Sequence, residues 1–228
     1  MQVKKFLATT ALVLAATTAQ AATITAEKME CSDIKDCYAI RVIGEIKQDD
    51  FMKFEKVIKD NNIKTGAGAV WLDSPGGLLV SGLIMGFIVH KYEFATVVGH
   101  DAYCISVCAS LWLAGKQKFV SQTGHVGFHQ PYYKDRRGNP HVDPKSIALM
   151  KEYYAKIGVP KPAADFFLTA NPKDAYWLNK DLASGFDLDV ETLDAPEPKQ
   201  QQAEQKPQTG TVTLPKDFID QLTSKKPL

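Results

Sequence analysis

The stretch "GAVWLDSPGGLLVSGLIMGFIVHKY", Gly68 to Tyr92, limits the fold more than any other part of the chain. A short β-rich run, Gly68 to Ser74, passes through Pro75-Gly76-Gly77 straight into an apolar run of helix length. The first reads as a buried strand, the second as a helix. The unit has neighbours of the same kind. "YAIRVIGEI" (Tyr38 to Ile46) alternates and is β-branched; in "DDFMKFEKVIKDN" after it, Phe51, Phe54, Val57 and Ile58 fall at helical spacing, with Asp49 or Asp50 as cap. "FATVVGH" predicts a third strand and "CISVCASLWLAG" (Cys104 to Gly115) a third helix. This order is that of right-handed crossovers, so the expected class is α/β, a mainly parallel sheet of βαβ units with flanking helices. "KFVSQ" and "HVGFHQ" predict two more short strands, "PKSIALMKEYYAKIG" and "KPAADFFLTAN" two helices, and "GFDLDV" an edge strand.

The ends differ from this middle. Lys4 and Lys5, an apolar run from Phe6 to Ala16, and Ala19-Gln20-Ala21 form a secretory signal, too short for a stable span, with cleavage expected after Ala21. That predicts signal peptide 1–21, a folded domain over 22–193 and a polar tail over 194–228. The destination is the periplasm, with secretion as the alternative and no membrane span in the mature chain. The tail begins "APEPKQQQAEQKPQTGT", a disordered-linker composition, and ends "LPKDFIDQLTSKKPL", a frayed end or a docking peptide. Loss of Lys4 and Lys5 turns a formal +1 into −1, 25 basic residues against 26 acidic, so nothing favours nucleic acid.

Four cysteines in an oxidising compartment point to disulfides. Cys31 and Cys37 bracket the short polar loop "SDIKD", which leaves Cys104 with Cys108. Zinc on the C-x-x-x-C pair is the rival, and two small buried hydrophobes the plainer alternative. An i, i+4 disulfide fits a regular helix poorly, so the pair requires Cys104 to lie in the turn before the helix.

Three segments carry chemistry. "DSPGG" (Asp73 to Gly77) stands where a strand opens a helix, so its glycine N–H groups could hold a developing oxyanion; an ordinary turn is the alternative. Ser106 precedes "VCASLWLAG" as either a helix cap or a nucleophile. "GHVGFHQP" offers His125 and His129, four apart and on one face if the strand continues. No P-loop and no dinucleotide glycine pattern occurs, so no cofactor is expected, and no metal.

In this order "DSPGG", "SVCASLWLAG" and "FHQP" resemble the proteolytic subunit of the Clp protease (ClpP) and its crotonase-fold relatives, over about Tyr38 to Asp189. The resemblance implies a ClpP/crotonase-like fold with Ser106 as nucleophile, His129 rather than His125 as general base, and an oxyanion hole from Gly76, Gly77 and Val107. "PKDAYWLNKDLASGFDLD" then puts Asp174 in the place of the triad acid, with Asp181 and Asp165 as fallbacks. The chain departs from that family at Cys104 and Cys108, read here as a clip on the nucleophile turn. It departs again at "YYKDRRGNPHVDPK" with a shortened helix after it, where the family carries its ring-joining handle. Export also separates the chain from ATPase partners. The expected activity is an exported, ATP-independent serine peptidase acting on a polypeptide substrate or a dedicated protein partner, a homo-oligomer being left open. The alternatives are an esterase or thioesterase on the same groups, and a catalytically silent crotonase-fold binding or scaffold protein.

Overall fold

The computed structural model describes residues 21–31 and 34–193. The leader up to Gln20 and the tail from Asp194 lie outside them.

Strand β1 (Thr23–Met29) runs antiparallel to β2 (Cys37–Ile43), and the loop between them is closed by a Cys31–Cys37 disulfide. Helix α1 (Asp50–Asp60) buries Phe54 and Ile58, with Asp49 at the cap position making no side-chain cap bond. Next come β3 (Gly68–Asp73), α2 (Leu79–Lys91) and β4 (Ala95–Val98), the first crossovers expected from the sequence. Each pairs parallel to its predecessor, Ile40 opposite Val70 and Val70 opposite Thr96. All four residues of β4 are buried, as in a strand covered on both faces.

The segment expected to be one helix from Cys104 divides. Tyr103–Ile105 is a strand, β5, and α3 starts only at Val107 and ends at Leu113. After it come β6 (Lys118–Ser121), β7 (His125–Phe128) and a hairpin of β8 (Tyr132–Lys134) with β9 (Pro140–Val142). Helices α4 (Pro144–Lys156) and α5 (Lys161–Phe167) precede a two-residue strand, β10 (Tyr176–Trp177). Helix α6 (Lys180–Gly185) and strand β11 (Glu191–Leu193) complete the order. The edge strand expected at "GFDLDV" is therefore displaced. Gly185 ends α6 and Asp187 takes φ +54°, so Phe186 and Leu188 pack onto the core from a turn.

The main sheet has the order β1-β2-β3-β4-β6-β11, parallel except at β1. A second, three-stranded sheet has the order β10-β7-β5. The larger core lies on the helical side of the main sheet, with Trp112, Phe54, Phe94 and Phe167 buried. The other face carries a small cluster of Ala39, Ala69, Val97 and Phe119, closed by the disulfide loop. Helix α2 reaches its neighbours through glycines. A Cβ on Gly82 would stand 2.4 Å from Val107, and one on Gly86 only 1.9 Å from the Tyr153 hydroxyl. That hydroxyl donates to the Ser110 carbonyl at 3.0 Å, locking α4 onto α3. Burial raises the pKa of both Tyr153 and Tyr154.

Candidate functional site

Ser106 sits between β5 and α3 with φ +63° and ψ −128°. A side chain in this left-handed region costs on the order of 1–3 kcal/mol and persists only where its surroundings enforce it. Three constraints do so. The Ser106 N–H donates to the Gly127 carbonyl at 2.9 Å, tying the turn to β7. Cys104 and Cys108, both fully buried, are joined across it by a disulfide with a Cα–Cα separation of 5.1 Å. Cys104 belongs to β5 and only Cys108 to the helix, which satisfies the geometric condition for an i, i+4 bridge. The third constraint is Gly76, where a Cβ would lie 2.6 Å from the Ile105 carbonyl and 2.8 Å from Ser106 Cβ.

Although Ser106 holds the N-cap position, its hydroxyl caps nothing. Among the described residues it makes no hydrogen bond. A strand-to-helix turn with a strained, unbonded serine hydroxyl presents that oxygen outward.

The "SPGG" turn runs alongside. Ser74 bridges Cys104, its N–H bonding the Tyr103 carbonyl at 2.6 Å and its carbonyl accepting from Ile105 at 3.1 Å. Gly76 N–H donates to Ser74 Oγ at 3.1 Å, and its carbonyl accepts from Ile46 at 2.7 Å. Gly76 is thus engaged in bracing the turn. Gly77, at φ +140°, is bridged to Ile46 through the bonds of its neighbours, so its own N–H faces away from that strand. Neither Gly77 N–H nor Val107 N–H, the first of α3, donates to an acceptor among the described residues. One donor directly follows the serine, and the other follows Gly76, which packs on it.

His129 lies one residue beyond β7, half-buried, so the strand does not carry both histidines. Its Nδ1 is 2.8 Å from the Gln130 carbonyl. A carbonyl only accepts, so Nδ1 carries the proton and Nε2 of the neutral ring is left as a base. The parallel β5–β7 register pairs Ile105 with Gly127, which brings the chain after β7 alongside Ser106. No sequence signal marks a backbone carbonyl as the partner of a histidine, and this one was not anticipated.

The antiparallel β10–β7 register pairs Tyr176 with Phe128 and stops there: the Gln130 N–H bonds the Ala170 carbonyl at 3.0 Å, and Asp174 lies in a turn, its N–H on the Asn171 carbonyl at 2.9 Å. The Asp174 side chain is exposed and makes no hydrogen bond or ion pair among the described residues. Asp165 is held below the usual carboxylate range by Lys161 and then Lys151, an ion-pair assignment on α5. Asp181 is exposed in the first turn of α6. His125 stands at the far end of β7, stacked on Tyr103 at 4.9 Å and edge-on to Trp177 at 5.9 Å. It borders a cavity of about 720 Å³ with Leu178, Ala183 and Leu188, and neither Ser106 nor His129 lines it. Among the described residues there is no cluster of three or more potential metal ligands. Nor is any helix there long and apolar enough to cross a membrane.

No family model and no curated protein matches the chain. Solved structures do. A mutant of the membrane-bound stomatin-specific protease 1510-N superposes with a TM-score of 0.51 at 17% identity, over 69% of this chain and 77% of that one. A ClpP1 mutant from Listeria monocytogenes gives 0.52 at 14% identity, over 69% and 91%. With its mainly parallel sheet, flanking helices and strand-borne turns, the chain has the ClpP/crotonase-like fold of these proteases.

Proposed function

We propose that residues 22–193 form an exported, ATP-independent serine peptidase whose nucleophile is Ser106 and whose general base is His129. The observation that carries this reading is the Ser106 turn, a strained serine with a hydroxyl unbonded among the described residues, followed by the unbonded Val107 N–H and packed on the glycine turn that carries the unbonded Gly77 N–H. Ser106 Oγ attacks the substrate carbonyl and passes its proton to His129 Nε2. The oxyanion is held by the Gly77 and Val107 N–H groups, each contributing about 3–4 kcal/mol in comparable sites. His129 gives the proton to the leaving amine, and water then cleaves the acyl-enzyme. Asp174 takes the acid's place by the charge it offers the imidazolium, while the Gln130 carbonyl fixes the tautomer.

One structural neighbour is a stomatin-specific protease, which supports a peptidase ahead of an esterase or thioesterase using the same groups. Two disulfides suit the periplasm. One observation favours a silent binding protein instead, the exposed and unengaged carboxylate of Asp174.

The test is fluorophosphonate labelling of the oxidised chain from Ala22, beside Ser106→Ala and His129→Ala. Labelling abolished by both changes is expected. No labelling of folded protein makes the binding reading the better one.

A further inference from the structure

Asp50 is a carboxylate sealed from solvent, 0% exposed at the first turn of α1. Its Oδ1 is 2.7 Å from Lys53 Nζ, on a side chain that is itself half-exposed. Its Oδ2 accepts from the Lys47 N–H at 2.7 Å and lies 3.3 Å from the nitrogen of Ala22. That nitrogen also donates to the Glu45 carbonyl at 2.9 Å. Ala22 is 5% exposed and belongs to the main core.

The Ala22 nitrogen therefore faces two acceptors, one of them a buried anion. In an unbroken chain it is an uncharged amide with a single hydrogen, which those acceptors must share. A terminal ammonium has three hydrogens and a positive charge. It satisfies both acceptors and supplies the buried carboxylate with a second cation. In the sequence this nitrogen directly follows Ala19-Gln20-Ala21, the small-residue end of the leader.

We propose that the chain is cut between Ala21 and Ala22, and that the Ala22 α-ammonium so released is a structural ligand of Asp50. Hydrolysis by a signal peptidase adds water across that peptide bond. The hydroxyl goes to the Ala21 carbonyl and the hydrogen to the Ala22 nitrogen, which takes a further proton from solvent. The pair ties the start of β1 to the β2–α1 connection at Lys47 and to α1. A chain still carrying its leader holds this tie only through one shared amide hydrogen, and processing completes it with charge. This inference is independent of any hydrolase activity.

The mass of the exported protein is expected to correspond to a chain beginning at Ala22, and a chain beginning elsewhere overturns the proposal. The chain from Ala22 to Leu228 is then compared with the same chain preceded by Gly-Ser, each with Asp50 and with Asp50→Asn. The extension is expected to lower Tm by about 6 °C or more beside Asp50, and by far less beside the amide. No loss, or an equal loss in both backgrounds, overturns it. Should Asp50→Asn not fold, the acetylation rate of the Ala22 amine decides. It is expected to be at least about tenfold slower in the native chain than in urea, as befits a buried, charged amine, and equal rates overturn the pairing.

Discussion

The two disulfides offer a controlled comparison, because they close loops of similar length in different places. Cys104 and Cys108 enclose five residues and Cys31 and Cys37 seven, counting the cysteines. Loop-closure entropy then assigns about 2 kcal/mol to each. For a domain of this size that is a Tm loss of about 4–8 °C per bond removed. The consequences for the Ser106 turn are not alike. The first bond spans a residue whose backbone holds on the order of 1–3 kcal/mol of strain, comparable with what the bond contributes. Without it, Ser106 is free to relax out of φ +63°. The second bond closes the β1–β2 loop over the opposite face of the sheet. Replacing Cys104 and Cys108 together by alanine is expected to cut the fluorophosphonate labelling rate at least about tenfold, in keeping with about 1.4 kcal/mol of lost alignment. Replacing Cys31 and Cys37 is expected to leave the rate within about twofold at a similar Tm loss. Calorimetry and labelling time courses on both pairs decide. Equal labelling losses, or none at the first pair, refute the idea that the buried bond holds the serine in place.

Other outcomes follow from single contacts. Gly77→Ala places a Cβ 2.1 Å from the Ile46 carbonyl at φ +140°, so the turn must move and labelling is expected to fall about 100-fold or more. Asp174→Asn should reduce labelling less than about tenfold, because the Gln130 carbonyl already orients His129, whereas a triad dependent on its acid loses about 10⁴. Asp135 is held below the usual carboxylate range, first by the Asn139 N–H and then by His141. A depressed folded pKa stabilises above the unfolded value of about 3.9 and is lost as pH falls through the folded one. The Asn139 amide resonance should therefore keep its position well below pH 4.

Much of this was legible because the parallel sheet writes itself as apolar runs. "ATVV" is buried throughout, "GAVWLD" buries Ala69, Val70 and Leu72, and the helix of Leu79–Lys91 opens just after the glycine pair. What escaped were elements too short to show a period. Strand β5 is three residues flush against a helix, and β10 is two. Strand β1 alternates, but it follows the leader so closely that its signal was not separated from it. At the proposed site, Ser106, His129 and Gly77 are suggested by residue types at fixed order. The partner of His129 could not, since a main-chain carbonyl leaves no trace in composition. Adjacent glycines look alike in sequence, and only the structure shows that the Gly76 N–H is taken by Ser74 Oγ.

The division into two sheets has a mechanical meaning. Ser106 leaves β5 and His129 leaves β7, and these are hydrogen-bonded neighbours within the small sheet. Gly77 hangs instead from the end of β3, in the large one. The two bodies meet near the site at the bridge between Ser74 and Cys104. A rocking of one sheet against the other would carry the proposed nucleophile and base together as a rigid couple and leave their spacing unchanged. The Gly77 donor is tied to that couple by the Ser74 bridge, the bond from the Tyr103 N–H to Asp73 and the close packing of Gly76 on Ser106. Mutations that loosen these ties should thus keep the spacing of Ser106 and His129 and weaken the grip on the oxyanion.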